Sequence, residues 1–181
     1  MLPFEMHLQD KIKTAIRDIP DFPKPGILFK DITPIFLQPR LCAEITEAFC
    51  APYQAQKPDA ILGIESRGFL FGMLMAQKLG LPFVMVRKAG KLPYKTISQE
   101  YNLEYGSAKI EMHEDALQKG WNVVIHDDLL ATGGTAAAAA QLVKKCGANV
   151  TSFTFVVELG FLNGKQKLLN HTNNIQCLIQ Y

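Results

Sequence analysis

Apolar residues Leu8, Ile12, Ala15, Ile16 and Ile19 recur at helical spacing, with Lys11, Lys13 and Arg17 lying off that face. The spacing predicts a helix over 8–19, ended by Pro20. Pro20 to Pro25 (PDFPKP) holds three prolines and reads as irregular chain before the short apolar segment Ile27-Leu28-Phe29. Leu41, Ile45, Ala48 and Phe49 predict a second helix, stopping near Pro52. Short continuous apolar runs at 60–64, 83–86, 123–125 and 153–157 read as buried strands, and 175–179 as an edge strand. Gly68 to Leu79 is apolar nearly all round, which predicts a buried helix with Gly80 as its C-cap. Ala136 to Lys145 is a strong helix former, ended by Cys146-Gly147. Tyr101, Leu103 and Tyr105, then Ala108, Ile110 and Met112, alternate with polar residues around Gly106-Ser107, which predicts a hairpin. The segments 87–96 and 127–135 read as loops. Buried strands alternating with helices define an α/β fold with a mainly parallel central sheet. Such sheets bind ligands at the carboxyl ends of their strands, near a switch point.

Composition narrows this picture. The chain has 181 residues, 48% hydrophobic and 20% charged. These values suit one globular domain, expected over 1–181, and exclude wholesale disorder. Nineteen Lys+Arg against seventeen Asp+Glu leave a net charge of +2. That balance argues against a dedicated nucleic-acid binder. Cys42, Cys50, Cys146 and Cys177 lack any C-x-x-C spacing. Each reads as a buried free thiol, which points to a reducing, cytoplasmic compartment. The N-terminal stretch has no signal-peptide core, and Gly68 to Ala76 is far shorter than the ~20 apolar residues of a membrane span.

The chemistry concentrates in V-V-I-H-D-D-L-L-A-T-G-G-T, residues 123–135. Ala131, Thr132, Gly133, Gly134 and Thr135 carry small side chains, so backbone N–H groups can approach an anion at the start of the following helix. This is a phosphate cradle without the lysine of a Walker A loop. Asp127 and Asp128 would repel phosphate, so they address vicinal hydroxyls of a ribose or a metal carried by the ligand. Arg87, Lys88, Lys91 and Lys95 fall within nine residues that contain no acid, which suits a strongly anionic ligand such as a pyrophosphate. Ser66, Arg67 and Gly68 offer N–H groups and a guanidinium at a helix start.

These residues resemble the type I phosphoribosyltransferases, and D-D-L-L-A-T-G-G-T most resembles the members that use adenine. Further matches are F-P-K-P-G at 22–26, E-S-R-G-F at 65–69, R-K-A-G-K-L-P at 87–93, L-E-Y-G at 103–106 and V-E-L at 157–159, so the resemblance covers nearly the whole chain. It implies the family fold: a twisted, mainly parallel sheet flanked by helices, a small hood formed largely by about residues 1–35, and a flexible lid and hairpin over 87–108. It implies purine salvage, with phosphoribosyl pyrophosphate (PRPP) and adenine giving AMP and pyrophosphate. Residues 131–135 would hold the 5′-phosphate, and Asp127 and Asp128 the ribose hydroxyls. Ser66, Arg67, Arg87, Lys88 and Lys91 would meet the pyrophosphate, with a cis peptide expected between Glu65 and Ser66. Glu104 would approach the base N7 and, with Arg67 and Lys88, form the catalytic set; Tyr105 belongs either to the same site or to the core. Leu28, Phe29, Lys30 and Leu159 would wall the adenine. Lys30 stands where many relatives carry arginine, and a lysine does not reproduce a planar forked contact. His126 stands where relatives usually carry an aliphatic residue; it either tunes Asp127 or faces the next layer, and the second is the expectation. Mg²⁺ would arrive with PRPP, with no dedicated protein site. The implied partners are adenine and PRPP, with no nucleic acid, no membrane, and a homodimer in which Arg87 can reach the neighbouring site. The alternatives are a 6-oxopurine or xanthine phosphoribosyltransferase, and a non-catalytic purine- or PRPP-sensing module.

Overall fold

The computed structural model describes residues 6–102 and 106–181. The chain divides into two compact units, Met1–Ala48 and Phe49–Tyr181.

In the first unit the helix α1 covers Leu8–Ala15 and stops short of the sequence expectation. Ile16 turns extended (φ −70°, ψ 136°), and Arg17–Pro20 forms strand β1. β1 pairs antiparallel with β2, Leu28–Asp31, matching Ile19 to Phe29 and Asp18 to Lys30. Cross-strand pairing therefore overrides the helical spacing of Ile16 and Ile19. Pro20, which has no N–H to give, sits at the strand end. The connection is a tight turn. Asp21 has φ +55°, the Phe22–Pro23 bond is cis, and the Asp21 carboxylate accepts the Gly26 N–H at 2.8 Å. The helix α2, Pro39–Cys50, follows and carries the chain into the second unit.

The second unit holds a seven-stranded sheet with strands β3 (Ala60–Ile64), β4 (Phe83–Lys88), β5 (Thr96–Asn102), β6 (Ser107–His113), β7 (Asn122–Leu130), β8 (Asn149–Glu158) and β9 (Ile175–Gln180). Their order is β5-β6-β4-β3-β7-β8-β9. The run from β4 to β9 is parallel, while β6 adds antiparallel to β4 and β5 to β6, as the hairpin pattern predicts. Helix α3 (Gly68–Leu79) links β3 to β4, and α4 (Gly134–Lys145) links β7 to β8. A one-turn helix, α5 (Lys165–Leu168), precedes β9. From β3 the chain winds toward β4 and from β7 toward β8. The switch point of the sheet therefore lies between β3 and β7, where a parallel α/β sheet opens its crevice.

Two segments read as loops are longer strands. Arg87 and Lys88 belong to β4 and pair with Glu111 and Ile110. Asp127 to Leu130 belong to β7, whose partners on β8 run to Glu158. Helix α3 is less buried than its composition predicts. Phe71, Gly72, Met75, Ala76 and Leu79 face the sheet, but Leu70, Met73 and Leu74 are exposed. The four cysteines are thiols, but only Cys50 is buried; Cys42, Cys146 and Cys177 are half-buried. Among the described residues no helix is long and apolar enough to cross a membrane.

Candidate active site

At the end of β3 the chain passes through Glu65-Ser66-Arg67 before α3 begins, and the Glu65–Ser66 bond is cis, as expected. Gly68 lets α3 start directly against β7: a Cβ there would lie 2.8 Å from the His126 carbonyl oxygen and 3.0 Å from the Asp127 Cα. This approach brings Arg67 to the acidic pair. Its Nε donates to Asp128 Oδ2 at 2.5 Å, and Asp128 is 5% exposed. Asp127 Oδ1 accepts the N–H of Asp128 at 2.9 Å. Burial and the adjacent Asp128 carboxylate raise the Asp127 pKa well above the usual aspartate value, against an opposing pull from Arg67.

A cavity of about 340 Å³ opens here. Its polar wall is Glu65, Ser66, Arg67, Lys88, Tyr101, Asp127, Asp128 and Thr135; Ile64, Val86, Ile110 and Leu129 line its apolar side. A smaller hollow of about 70 Å³ adjoins it through Asp127, Leu129 and Thr135, and is formed by the turn from Leu130 to Ala136. Gly133, at φ +75°, caps α4, and a Cβ there would come within 2.5 Å of the Gly164 carbonyl oxygen. Glycine is thus required twice over, by its backbone angle and by the loop beneath it. The first N–H groups of α4 open onto this hollow, where no helical carbonyl precedes them. Thr135 Oγ1 donates to the Tyr101 hydroxyl at 3.2 Å.

The cationic residues converge on one carboxylate. Glu65 accepts the Lys88 backbone N–H at 2.9 Å, Lys91 Nζ at 2.9 Å and Arg87 Nε at 3.3 Å. Burial pushes its pKa up, but the Lys91 and Lys88 hydrogen bonds, with the charges of Lys91 and Arg87, outweigh burial and hold it below the usual glutamate value. Arg87 Nη1 also reaches the Lys91 carbonyl at 3.1 Å.

Ser66, Arg67, Lys88, Asp127, Asp128 and Thr135 are therefore brought together around one cavity, with Ala131, Thr132, Gly133 and Gly134 in the adjoining turn. Arg87 and Lys91 meet at Glu65. Leu28, Phe29 and Lys30 lie on β2 in the first unit. Phe29 packs edge-on against Phe22 with centroids 5.1 Å apart, and Lys30 Nζ bonds Asp18 at 2.7 Å. Leu159 follows β8, its N–H on the Leu130 carbonyl at 2.9 Å. Glu104 and Tyr105 lie outside the described residues. His126 faces away from Asp127, into the next layer. Its ring lies edge-on to Phe49 and Phe71, and its Nδ1 is 2.9 Å from Thr154 Oγ1. Glu65, Tyr101 and Gly164 were not singled out by sequence reasoning. Glu65 stood in the E-S-R-G string as a signal, whereas nothing local pointed to Gly164.

Comparison with known proteins follows the same lines. The family model for the phosphoribosyl transferase domain matches residues 33–175, and the chain belongs to that family. Within it, the adenine phosphoribosyltransferase of Cytophaga hutchinsonii is 50% identical over 181 residues, which is 100% of each chain. The crystal structure of adenine phosphoribosyltransferase from Rhodothermus marinus superposes with a TM-score of 0.91 at 46% identity, covering 96% of this chain and 98% of that one. The Saccharomyces cerevisiae enzyme, complexed with an imino-altritol bisphosphate and adenine, gives 0.89 at 44% identity, covering 95% and 98%.

Proposed function

We propose that this chain transfers the phosphoribosyl group of PRPP to adenine, giving AMP and pyrophosphate, at the switch-point cavity of its sheet. The observation that carries this reading is the meeting, around one cavity, of the adjacent Asp127 and Asp128 carboxylates, a guanidinium and an ammonium beside a small-residue helix start. A ribose bearing phosphate at one end and pyrophosphate at the other needs these groups in this arrangement. The yeast relative, which holds adenine beside a bisphosphorylated ribose-like ring, supports adenine as the acceptor.

The turn from Ala131 to Thr135 takes the 5′-phosphate through backbone N–H groups and the Thr132 and Thr135 hydroxyls. Asp127 and Asp128 accept hydrogen bonds from the ribose hydroxyls. Breaking the C1–pyrophosphate bond leaves positive charge on the sugar and negative charge on the leaving group. Ser66, Arg67, Arg87, Lys88 and Lys91 stabilise the departing pyrophosphate. The base nitrogen then bonds to C1 as the base gives up its ring N–H proton to Glu104, which the resemblance assigns to N7. The resemblance assigns Leu28, Phe29, Lys30 and Leu159 to the adenine, and treats residues 1–35 and 87–108 as hood and lid around one catalytic domain.

The donor set also fits Mg²⁺ carried by PRPP, since the Asp127 and Asp128 oxygens suit a hard cation. When bound, Mg²⁺ neutralises charge on the leaving pyrophosphate. A homodimer fits the apolar stripe that α3 exposes at Leu70, Met73 and Leu74. A cytoplasmic setting fits four cysteines in the thiol form.

The test is to incubate the purified chain with PRPP, Mg²⁺ and each purine base in turn. AMP from adenine alone is expected. IMP or GMP as the main product would move the reading to a 6-oxopurine enzyme, and binding without turnover would make the chain a sensor.

A further inference from the structure

Glu111 lies near the middle of β6 and is 7% exposed. Its register partners are Arg87 on β4 and Ser98 on β5. Its carboxylate is spent on the turn that follows β4. Oε1 accepts the N–H of Gly90 at 2.9 Å and the N–H of Leu92 at 3.3 Å, while Oε2 accepts the Thr96 hydroxyl at 3.4 Å. The two N–H groups it takes stand on either side of Lys91. The Lys91 carbonyl is held in turn by Arg87, and the Ala89 N–H reaches the Lys109 carbonyl at 3.0 Å. The N–H groups of Ala89, Gly90 and Leu92 and the carbonyl of Lys91 are thus tied to β4 or β6.

Burying a carboxylate among neutral donors is costly. A merely structural loop anchor needs no charge; a carboxylate is the side chain that accepts several hydrogen bonds at once in a fork. Lys88 ends the strand before this turn and Lys91 sits within it, so the turn's backbone path decides where the Lys91 ammonium group projects. A small shift there would move Lys91 off the pyrophosphate position.

We propose that Glu111 is a positioning residue for the transfer: it brackets Lys91 and fixes the turn that presents Lys91 to the pyrophosphate of PRPP. This rests on the reading of the cavity given above. It separates Glu111 from the general stability of the sheet, because its effect passes through one lysine and one substrate.

Steady-state kinetics of Glu111→Met, Lys91→Ala and the double variant test it. Glu111→Met keeps the volume and removes the acceptors. The KM for PRPP should rise about tenfold or more, with the KM for adenine within about twofold. Glu111→Gln, which keeps one acceptor oxygen, should restore the PRPP KM to within about threefold of the wild type. Adding Glu111→Met to Lys91→Ala should change the PRPP KM by less than about twofold, because the two act as one unit. Multiplicative effects in the double variant, or equal rises in both KM values, would overturn the proposal. Should Glu111→Met not fold, Glu111→Asp keeps the charge but withdraws it by one methylene. It should still raise the PRPP KM selectively, and an unchanged PRPP KM would overturn the proposal. Wild-type protein that makes no AMP sinks the functional reading itself; wild-type turnover with an unselective Glu111→Met sinks this inference alone.

Discussion

His126 is fully buried, with Nδ1 near Thr154 Oγ1 and no hydrogen-bond partner at Nε2. Burial lowers its pKa to about 3, against a weaker opposing effect of the Thr154 contact. The folded ring stays neutral while the unfolded ring takes a proton below about pH 6.5. Stability from this group is therefore present above about pH 6.5 and lost as the pH falls toward 3, with a slope of up to about 1.4 kcal/mol per pH unit. His126→Leu should flatten that part of the acid-denaturation curve in a melting series. Asp127 runs the other way. Its raised pKa means that the carboxylate proposed to hold the ribose hydroxyls is lost at a higher pH than an ordinary aspartate allows. The acid limb of kcat/KM for PRPP should shift upward accordingly. Asp127→Asn should remove that limb and lower kcat/KM about 100-fold; an unchanged limb would dissociate it from Asp127. At this scale the legible residues were those whose chemistry is local, such as the run from Asp127 to Thr135. Glu65 and Glu111 were not, because their partners lie 22–26 and 15–21 residues away and only the strand register joins them.

Elements were legible where burial alone decides them. The five buried residues of β3 and the alanine-rich face of α4 announce themselves in the pattern. Element ends were not, since they depend on partners. α1 stops at Ala15 because β2 offers Arg17–Pro20 a ladder, and β7 runs on to Leu130 because β8 runs beside it. The turn between β7 and α4 carries a sharper consequence. Gly133→Ala would place a methyl at φ +75° and against the Gly164 carbonyl. The chain should keep its sheet in far-UV circular dichroism while affinity for AMP falls about tenfold or more by calorimetry. Unaltered AMP affinity would detach the turn from phosphate binding.

Over the whole molecule, the two units differ in what pattern could reveal. The parallel sheet of the second was readable from strand–helix alternation, whereas the β1–β2 hairpin of the first was masked by helical spacing and prolines. The exposed stripe on α3 was hidden for another reason: a uniformly apolar helix reads as buried, and composition does not say against what. Leu70, Met73 and Leu74 stand at i, i+3 and i+4, so they share one face. If that face joins two copies, Met73→Glu should halve the mass found by light scattering without lowering helix content. A dimer that survives Met73→Glu would place the interface elsewhere.

The grip of Glu65 on the Arg87 and Lys91 side chains bears on how the anion arrives. The chain supplies its own counter-ion to the cations proposed to meet the pyrophosphate, and its net charge is only +2. Capture of pyrophosphate is then an exchange of one anion for another rather than attraction toward a bare cluster. Dissolved salt competes weakly with a partner held at the end of the neighbouring strand β3. Raising the ionic strength should therefore slow productive encounter little in the wild type and markedly in Glu65→Gln, where the lysine and arginine face the solution ions directly.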